Sequence, residues 1–355
     1  MKGDSKRQRL GLRNKSSTLS DLESHGITTF TDEEAVEKPS SPSQVAGSNG
    51  SHLTLLLALI LLWYGAAIVA ITTTKRVLLI VSMPYTLCLC QFTIATIATK
   101  VYSLFFAATK TSSNVFHMGS PVRRLLYQIS TTYTLGFIFT NISFSLVNAN
   151  FAETVKAAEP ISSVALAYFF FRESVSRLGC LALLPICIGV AISCTNEVSF
   201  DIFGFMSAAM SNVCFSHRAV VAKYLFNTYP GANLDEMTMF HVISYLGLLI
   251  LIPLVMLKEW GLVGLVRSED FVFFVVLLVI NGLAYTTYNV TSFYVLNRTN
   301  IITHAILNVF RRVFIIIGTS VYFGITLSNN NIIGIIIAFL GLILFIISTK
   351  KIEKS

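Results

Sequence analysis

Apolar blocks recur along most of the chain at about 18 to 25 residues each, the length that an α-helix needs to cross a hydrocarbon core of about 30 Å. Of the 355 residues, 54% are hydrophobic and 12% are charged. The blocks are rich in Leu, Ile, Phe, Ala and Gly, and they lack the alternation of apolar and polar residues that membrane β-barrels require. The sequence therefore predicts an all-α protein that spans a membrane several times.

Ten blocks are predicted to be spans, so the expected fold class is an all-α membrane protein with about ten transmembrane helices. With both termini in the cytosol, most Lys and Arg residues outside the spans fall on the cytosolic side, as the positive-inside rule expects. The net charge of +8 thus reflects orientation in the membrane and not binding to nucleic acid. The predicted spans are 53–74, 83–107, 123–148, 151–171, 176–194, 202–226, 236–257, 269–294, 299–323 and 330–349.

The two ends of the chain differ from the blocks between them. Residues 1–51 are polar and rich in Ser, Thr and Gly, a composition typical of a disordered tail. No cleaved targeting signal is legible there, because no apolar run follows the first basic residues and acids are too frequent for a transit peptide. Residues 52–349 are the predicted membrane domain, and residues 350–355 are a short basic tail.

Two segments of the membrane domain resemble each other. Asn141–Asn148 precedes the fourth span and Asn289–Asn297 precedes the ninth, and each is followed by a helix with cationic residues and then by a glycine-bearing last span. Many membrane proteins consist of two such halves, and an odd number of helices per half inverts the second half. The sequence predicts two inverted five-helix repeats, 52–197 and 198–349.

Two adjacent arginines, Arg311 and Arg312, lie near the middle of the ninth block. A charge at bilayer depth costs roughly 3 kcal/mol on insertion scales, so such a pair is retained where it faces a water-filled cavity or a counter-charge. In the repeat alignment Lys156 falls within about a turn of the equivalent position in span 4. Glu153 and Glu159 are the only acids well inside a span, so the cavity keeps a positive surplus. Such a cavity suits a multiply charged phosphate.

Further polar residues at depth fit the same predicted cavity, namely Thr140, Arg218, Tyr285 and Tyr288. Less specific interpretations stay open at this point. Lys156 and Arg218 could extend to the membrane surface, Tyr288 could belong to an interfacial aromatic belt, and the two arginines could serve structural ion pairs alone.

Other polar residues in the spans are given structural roles. Lys75 and Lys100 are expected to extend to the membrane surface or to lie at helix ends, and His304 is expected to be a polar spacer near a helix start. The cysteines all lie in apolar blocks, which argues against a disulfide framework or a zinc site. No metal and no cofactor are therefore predicted. The cysteines are Cys88, Cys90, Cys180, Cys187, Cys194 and Cys214.

Several blocks resemble the motifs of the plastidic phosphate translocators, the triose-phosphate translocator family of the drug/metabolite transporter superfamily. The resemblance extends over nearly everything after residue 52. It implies a ten-helix carrier, not an enzyme, that exchanges a phosphorylated carbon compound for inorganic phosphate. The blocks are Thr140–Phe144, Thr154–Pro160, Ser216–Lys223, Tyr288–Asn289 and Thr303–Arg312.

The resemblance also implies roles for single residues. Lys156, Arg311 and Arg312 would hold the phosphate with help from Thr140, and the carbon end of the substrate would contact the two remaining residues, Arg218 and Tyr288. This chain departs from the family in two places. It has Arg-Arg where the family has Lys-Arg, and Phe137 where triose-phosphate members have a histidine. The second departure removes a hydrogen-bond donor, which leaves the identity of the substrate open.

The function expected from the sequence is exchange of a phosphorylated C3-type metabolite, such as triose phosphate or 3-phosphoglycerate, for inorganic phosphate across a lipid bilayer. The alternatives are an exchanger of phosphoenolpyruvate or of a sugar phosphate of other size, and a nucleotide-sugar transporter of the Golgi or endoplasmic reticulum. A membrane-embedded transferase is disfavoured because no constellation of bases or metal ligands is seen. A receptor or channel suits the cationic cluster less well. The resemblance points to a plastid envelope membrane, while the lack of a legible transit peptide fits an outermost plastid membrane or the secretory system as well. The oligomeric state is not predicted.

Overall fold

The computed structural model describes residues 49–106, 119–171, 177–195, 197, 200–229, 236–262, 271–296, 298–299 and 301–352. Regular structure within these residues is entirely helical. Of the predicted tail, residues 1–48 lie outside the described residues, and residues 49–51 already belong to the first helix. At the other end the last helix continues to Ile352.

Eleven helices account for the described part of the chain. They are α1 (Asn49–Ile80), α2 (Pro84–Phe106), α3 (Ser120–Leu146), α4 (Ala149–Lys156), α5 (Glu159–Phe171), α6 (Arg177–Thr195), α7 (Ile202–Thr228), α8 (Glu236–Lys258), α9 (Phe271–Leu296), α10 (Ile301–Phe323) and α11 (Asn329–Ile352). Nine predicted spans correspond to one helix each, and the fourth corresponds to α4 and α5 together. The prediction of about ten spans is confirmed.

The fourth span is broken in its middle, which the prediction of one helix over 151–171 missed. A turn at Ala157 and Ala158 separates α4 from α5. Pro160 has no backbone N–H to donate to the carbonyl of Lys156, and its ring would collide with that carbonyl in a continuous helix. The break places Lys156 in the last turn of α4 and Glu159 in the first turn of α5.

Five described helices are long and apolar enough, by composition alone, to cross a membrane: α1, α2, α8, α9 and α11. The long helices α3, α7 and α10 carry more polar side chains, among them Thr140, Arg218 and the two adjacent arginines. These polar residues at depth lower the hydropathy of α3, α7 and α10.

Helix contacts repeat between the two halves of the chain when α4 and α5 are counted as one span. Helices α1, α2 and α3 of the first half correspond to α7, α8 and α9 of the second. The contact between α3 and α7 therefore matches the contact between α9 and α1, and the contact between α2 and α9 matches the contact between α8 and α3. The pairs α2–α8, α4–α10 and α6–α11 join equivalent helices of the two halves. This pattern is what two related five-helix halves produce, and it supports the predicted repeat.

Two charged side chains cap helix ends. Lys75 near the end of α1 is buried, and its Nζ donates to the carbonyl oxygens of Phe144 and Val147 at 2.8 Å each, at the end of α3. Glu259 accepts hydrogen bonds from the backbone N–H groups of Tyr85 and Thr86 at the start of α2. Each charge has the sign that the helix dipole favours. Lys75 therefore does not extend to the membrane surface, whereas Lys100 is exposed.

Helices α6 and α11 approach each other at two glycines. A Cβ atom on Gly189 would lie 2.5 Å from the carbonyl oxygen of Gly334, and one on Gly334 would lie 2.5 Å from the carbonyl oxygen of Gly189. Small residues at such a crossing let two membrane helices pack backbone against backbone.

Replacing Gly189 by Ala is expected to destabilise the folded protein by about 1–3 kcal/mol, because the added methyl group meets backbone that cannot rotate away. Thermal unfolding of the purified protein in detergent measures the loss. The matched control is Gly65→Ala in α1, where an added Cβ meets nothing within 4 Å. Equal melting temperatures for the two variants would contradict the close approach.

Candidate substrate-binding site

A cavity of about 180 Å³ lies among the helices. All six residues that the sequence nominated line it, although they come from five different helices. They are Thr140, Lys156, Arg218, Tyr288, Arg311 and Arg312. Lys156 and Arg218 thus line an internal cavity instead of extending to a membrane surface, and Tyr288 lines it instead of forming part of an aromatic belt. Their roles in binding stay predictions.

Arg312 pairs with two carboxylates. Its Nη1 lies 3.3 Å from Glu153 Oε2, and its Nη2 lies 2.8 Å from Glu159 Oε2. Glu153 also faces Lys156, with 3.5 Å between Oε1 and Nζ. The broken fourth span therefore supplies an acid on each side of the turn, and both acids reach the same guanidinium. Such pairing is what keeps charges tolerable in a buried site.

Arg311 is held differently from its neighbour. Its Nε donates to Asn308 Oδ1 at 3.0 Å, and no carboxylate of the described residues forms an ion pair with it. The cavity lining contains four cationic side chains and two carboxylates. The resulting net charge of +2 is the positive surplus that the sequence predicts.

A second group of lining residues is aromatic and is called the aromatic end here. Arg218 lies over the ring of Tyr133, with 5.2 Å from Cζ to the ring centroid. Phe137 packs edge-to-face against Tyr133, Phe215 and Tyr285. The Nε of Arg218 is buried without a hydrogen-bond partner among the described residues. This end therefore offers one cationic donor surrounded by rings, and Phe137 itself offers no hydrogen bond.

Thr140 also lines the cavity. Its Oγ1 donates to the carbonyl oxygen of Gly136 at 2.8 Å and is 2.8 Å from Ser211 Oγ. A hydroxyl has a single proton, so Thr140 has to rotate away from Gly136 before it can donate to a bound anion. Ser211 is the second hydroxyl at the same place, and the sequence interpretation did not include it.

Gln91 is another cavity residue that the sequence interpretation missed. Its Nε2 donates to Asn281 Oδ1 at 2.8 Å, while its Oε1 is buried without a partner in the described part of the chain. Asn281 in turn donates to the carbonyl oxygen of Ala70 and to Thr74 Oγ1. The available signal was an amide at bilayer depth, which needs polar partners just as a charge does.

The fold and the cavity together define a multi-span α-helical membrane protein with an internal, positively charged cavity. Residues 54–346 match the family described as the Triose-phosphate Transporter family. The chain belongs to this family of membrane transporters.

Named relatives agree with this assignment. The chain is 30% identical over 243 residues to the chloroplastic triose phosphate/phosphate translocator of Flaveria pringlei, covering 67% of this chain and 58% of that protein. It is 31% identical to the protein of the same name from Zea mays, covering 65% and 57%. It is 30% identical to the chloroplastic phosphoenolpyruvate/phosphate translocator 1 of Oryza sativa subsp. japonica, covering 81% and 70%. The chain thus spans little more than half of the triose phosphate/phosphate translocators it matches.

A solved crystal structure has the same overall fold. It superposes with a TM-score of 0.52 at 17% sequence identity, and the superposition covers 85% of this chain and 99% of the other. At this identity the likeness shows the fold alone.

The two adjacent arginines are expected to differ in their effect on stability. Arg312→Gln removes the partner shared by the buried Glu153 and the partly exposed Glu159. It is expected to cost about 3–5 kcal/mol, because an ion pair with a buried carboxylate is broken. Arg311→Gln removes a cation that has no carboxylate partner in the described structure, and a much smaller loss is expected. Thermal unfolding of both variants in phosphate-free detergent solution tests this. A larger loss for Arg311→Gln would contradict the pairing.

Proposed function

We propose that the protein is an antiporter that exchanges a phosphorylated C3 metabolite for inorganic phosphate by alternating access. The observation that carries the proposal is the convergence of Lys156 from the first half and Arg311 and Arg312 from the second half on one cavity. A net charge of +2 in that cavity complements a doubly charged phosphate group. Family membership supports phosphate-linked exchange.

In this proposal Lys156, Arg311 and Arg312 bind the phosphate group and Thr140 assists them. Arginine offers a planar fork of donors and lysine offers a compact charge, so together they surround a tetrahedral oxyanion. Arg218 and Tyr288 contact the carbon end of the substrate.

The size of the cavity supports a small substrate. Pockets for drug-sized ligands measure roughly 300–1,000 Å³, and this cavity measures about 180 Å³. A C3 phosphate is therefore favoured over a nucleotide sugar, which also needs space for a base and two sugars.

Strict exchange follows from the charge of the empty cavity. Closing the protein around unpaired cations would desolvate them at several kcal/mol each. A bound phosphate neutralises them and permits closure from either side of the membrane. This desolvation cost prevents the empty protein from switching between its two open states.

Within the C3 class, phosphoenolpyruvate is favoured over triose phosphate as the preferred substrate, and Phe137 is the observation that favours it. The aromatic end of the cavity suits a carbon chain without hydroxyl groups, and Arg218 suits a carboxylate. A relative in Oryza sativa subsp. japonica is named for the same substrate.

The membrane in which the protein works is proposed from its relatives' names. Those relatives are described as chloroplastic, and a plastid envelope membrane is the proposed location. A membrane of the Golgi or endoplasmic reticulum is the alternative, and a fluorescent fusion distinguishes the two.

Exchange in liposomes tests the proposed function. Labelled phosphate is expected to enter vesicles loaded with phosphate or phosphoenolpyruvate quickly and vesicles loaded with buffer hardly at all. Arg311→Gln is expected to reduce the exchange rate at low phosphate by about 10- to 100-fold, because a hydrogen bond to a charged group is lost. The control is Arg124→Gln, which alters an exposed arginine on α3. Fast uptake into empty vesicles would contradict obligatory exchange.

A competition panel tests the choice of substrate. Phosphoenolpyruvate is expected to compete with labelled phosphate better than triose phosphate, and hexose phosphate and UMP are expected to compete weakly. Phe137→His restores a hydrogen-bond donor and is expected to improve competition by triose phosphate several-fold, whereas Phe137→Leu is not. Strong competition by UMP would favour the nucleotide-sugar alternative instead.

A further inference from the structure

Two of the cations in the cavity, Arg311 and Lys156, each lie over two aromatic rings. The Cζ of Arg311 lies over the rings of Trp63 and Tyr288, at 5.5 and 5.6 Å from their centroids. The Nζ of Lys156 lies over the rings of Phe144 and Phe215, at 5.8 and 5.6 Å. All four distances are within the roughly 6 Å over which a ring face attracts a cation.

We propose that these rings are positioning residues that hold the phosphate-binding cations in place while leaving their N–H groups free. We call Trp63 and Tyr288 the Arg311 clamp, and Phe144 and Phe215 the Lys156 clamp. The inference rests on the proposed function and adds residues that neither the sequence motifs nor the family assignment singled out for this role.

The two clamps come from corresponding helices of the two halves of the protein. The Arg311 clamp comes from α1 and α9, and the Lys156 clamp comes from α7 and α3. In the repeat, α1 corresponds to α7 and α9 corresponds to α3, and the contact between α1 and α9 matches the contact between α7 and α3. The same device therefore occurs twice although the rings differ in type, which argues against a chance contact.

A ring compensates a cation in a different way from a carboxylate. A carboxylate occupies the N–H donors themselves, as Glu153 and Glu159 do with Arg312. A ring acts through its face, so the in-plane donors of a guanidinium stay available for a planar or tetrahedral oxyanion. The Arg311 clamp, together with the bond from Nε to Asn308, fixes the plane of the guanidinium before an anion arrives. Binding then needs less ordering of the side chain.

Trp63 is itself held firmly. It is 2% exposed and stacks on His304 with 5.0 Å between ring centroids. Its neighbour Tyr64 donates a hydrogen bond to the carbonyl oxygen of Leu307 at 2.6 Å, which ties α1 to α10 beside Arg311. His304, expected to be a polar spacer, thus supports the outer face of the clamp.

The chain allows a direct test because it contains two tryptophans, Trp63 and Trp260. Trp260 is 70% exposed and does not line the cavity. In a Trp260→Phe background, a tryptophan-auxotrophic host supplied with mono-, di- or trifluorotryptophan labels position 63 alone. Fluorine withdraws electron density from the ring face with little change in volume, so packing is retained while the attraction for Arg311 falls.

The dissociation constant for inorganic phosphate, measured by calorimetry on the purified protein, is expected to rise with each added fluorine. The total rise expected is about 2- to 30-fold, the range that corresponds to an exposed or a desolvated cation–ring contact. A reciprocal protein with Trp63→Phe, in which only Trp260 is fluorinated, is expected to show no trend. A dissociation constant that stays flat or falls across the Trp63 series would overturn the clamp.

Ordinary substitutions provide a second measurement. Phosphate affinity is expected to follow the order Trp63, Trp63→Phe, Trp63→Leu, with partial retention in the phenylalanine variant because it keeps a ring face. Equal affinity for the phenylalanine and leucine variants would overturn the clamp. Failure of the unfluorinated Trp260→Phe protein to bind phosphate at all would instead overturn the proposed function, and the clamp with it.

Discussion

The structure depends on how positive charge is compensated deep inside a membrane protein. A charge at bilayer depth is tolerated only with partners or water, and the described residues provide three kinds of partner. Carboxylates engage Arg312, aromatic rings and one weaker carboxylate contact engage Lys156, and helix-end carbonyls engage Lys75. Within the described part of the chain, Arg311 contacts rings and an amide but no acid. The degree of compensation therefore differs from one cation to the next, and a cation without a carboxylate partner is better prepared to receive an anion.

The break in the fourth span concentrates charges at one place. Because Pro160 cannot continue the helix begun at Ala149, one helix ends and another begins in the middle of the membrane domain. Lys156 lies at the carboxyl end of α4 and Glu159 at the amino end of α5, where the helix dipoles favour a cation and an anion respectively. Irregular backbone at this depth is tolerated where it lines a cavity, and Lys156 and Glu159 both do so.

The spans and the cavity residues could largely be predicted from the sequence, because polar residues at bilayer depth must face the protein interior and not the lipid. Ten apolar blocks give the spans, and the six nominated residues share one cavity since an apolar exterior excludes them. The broken span was also legible in Pro160, although the length of the block concealed it. Trp63 was not predictable as a clamp residue although it is one of only two tryptophans, because nothing in the sequence shows that it packs beside Arg311, about 250 residues further along the chain. The different surroundings of Arg311 and Arg312 were hidden as well, since consecutive helical residues point about 100° apart and the partners of each come from distant segments.

Incomplete compensation is what links the cavity to obligatory exchange in the proposed mechanism. With two further acids in the lining, the cavity would be neutral when empty, and nothing electrostatic would oppose closure without a substrate. With no acids, Arg312 would lack partners while the cavity waits for an anion, and the site would be costly to maintain. The cavity lining, with two carboxylates and four cations, is intermediate between a neutral cavity and one without acids. Rings stabilise the remaining charge only in part and leave its donors free, so an anion is still required to complete the compensation. The residues that limit compensation are thus as important to an exchanger as those that bind.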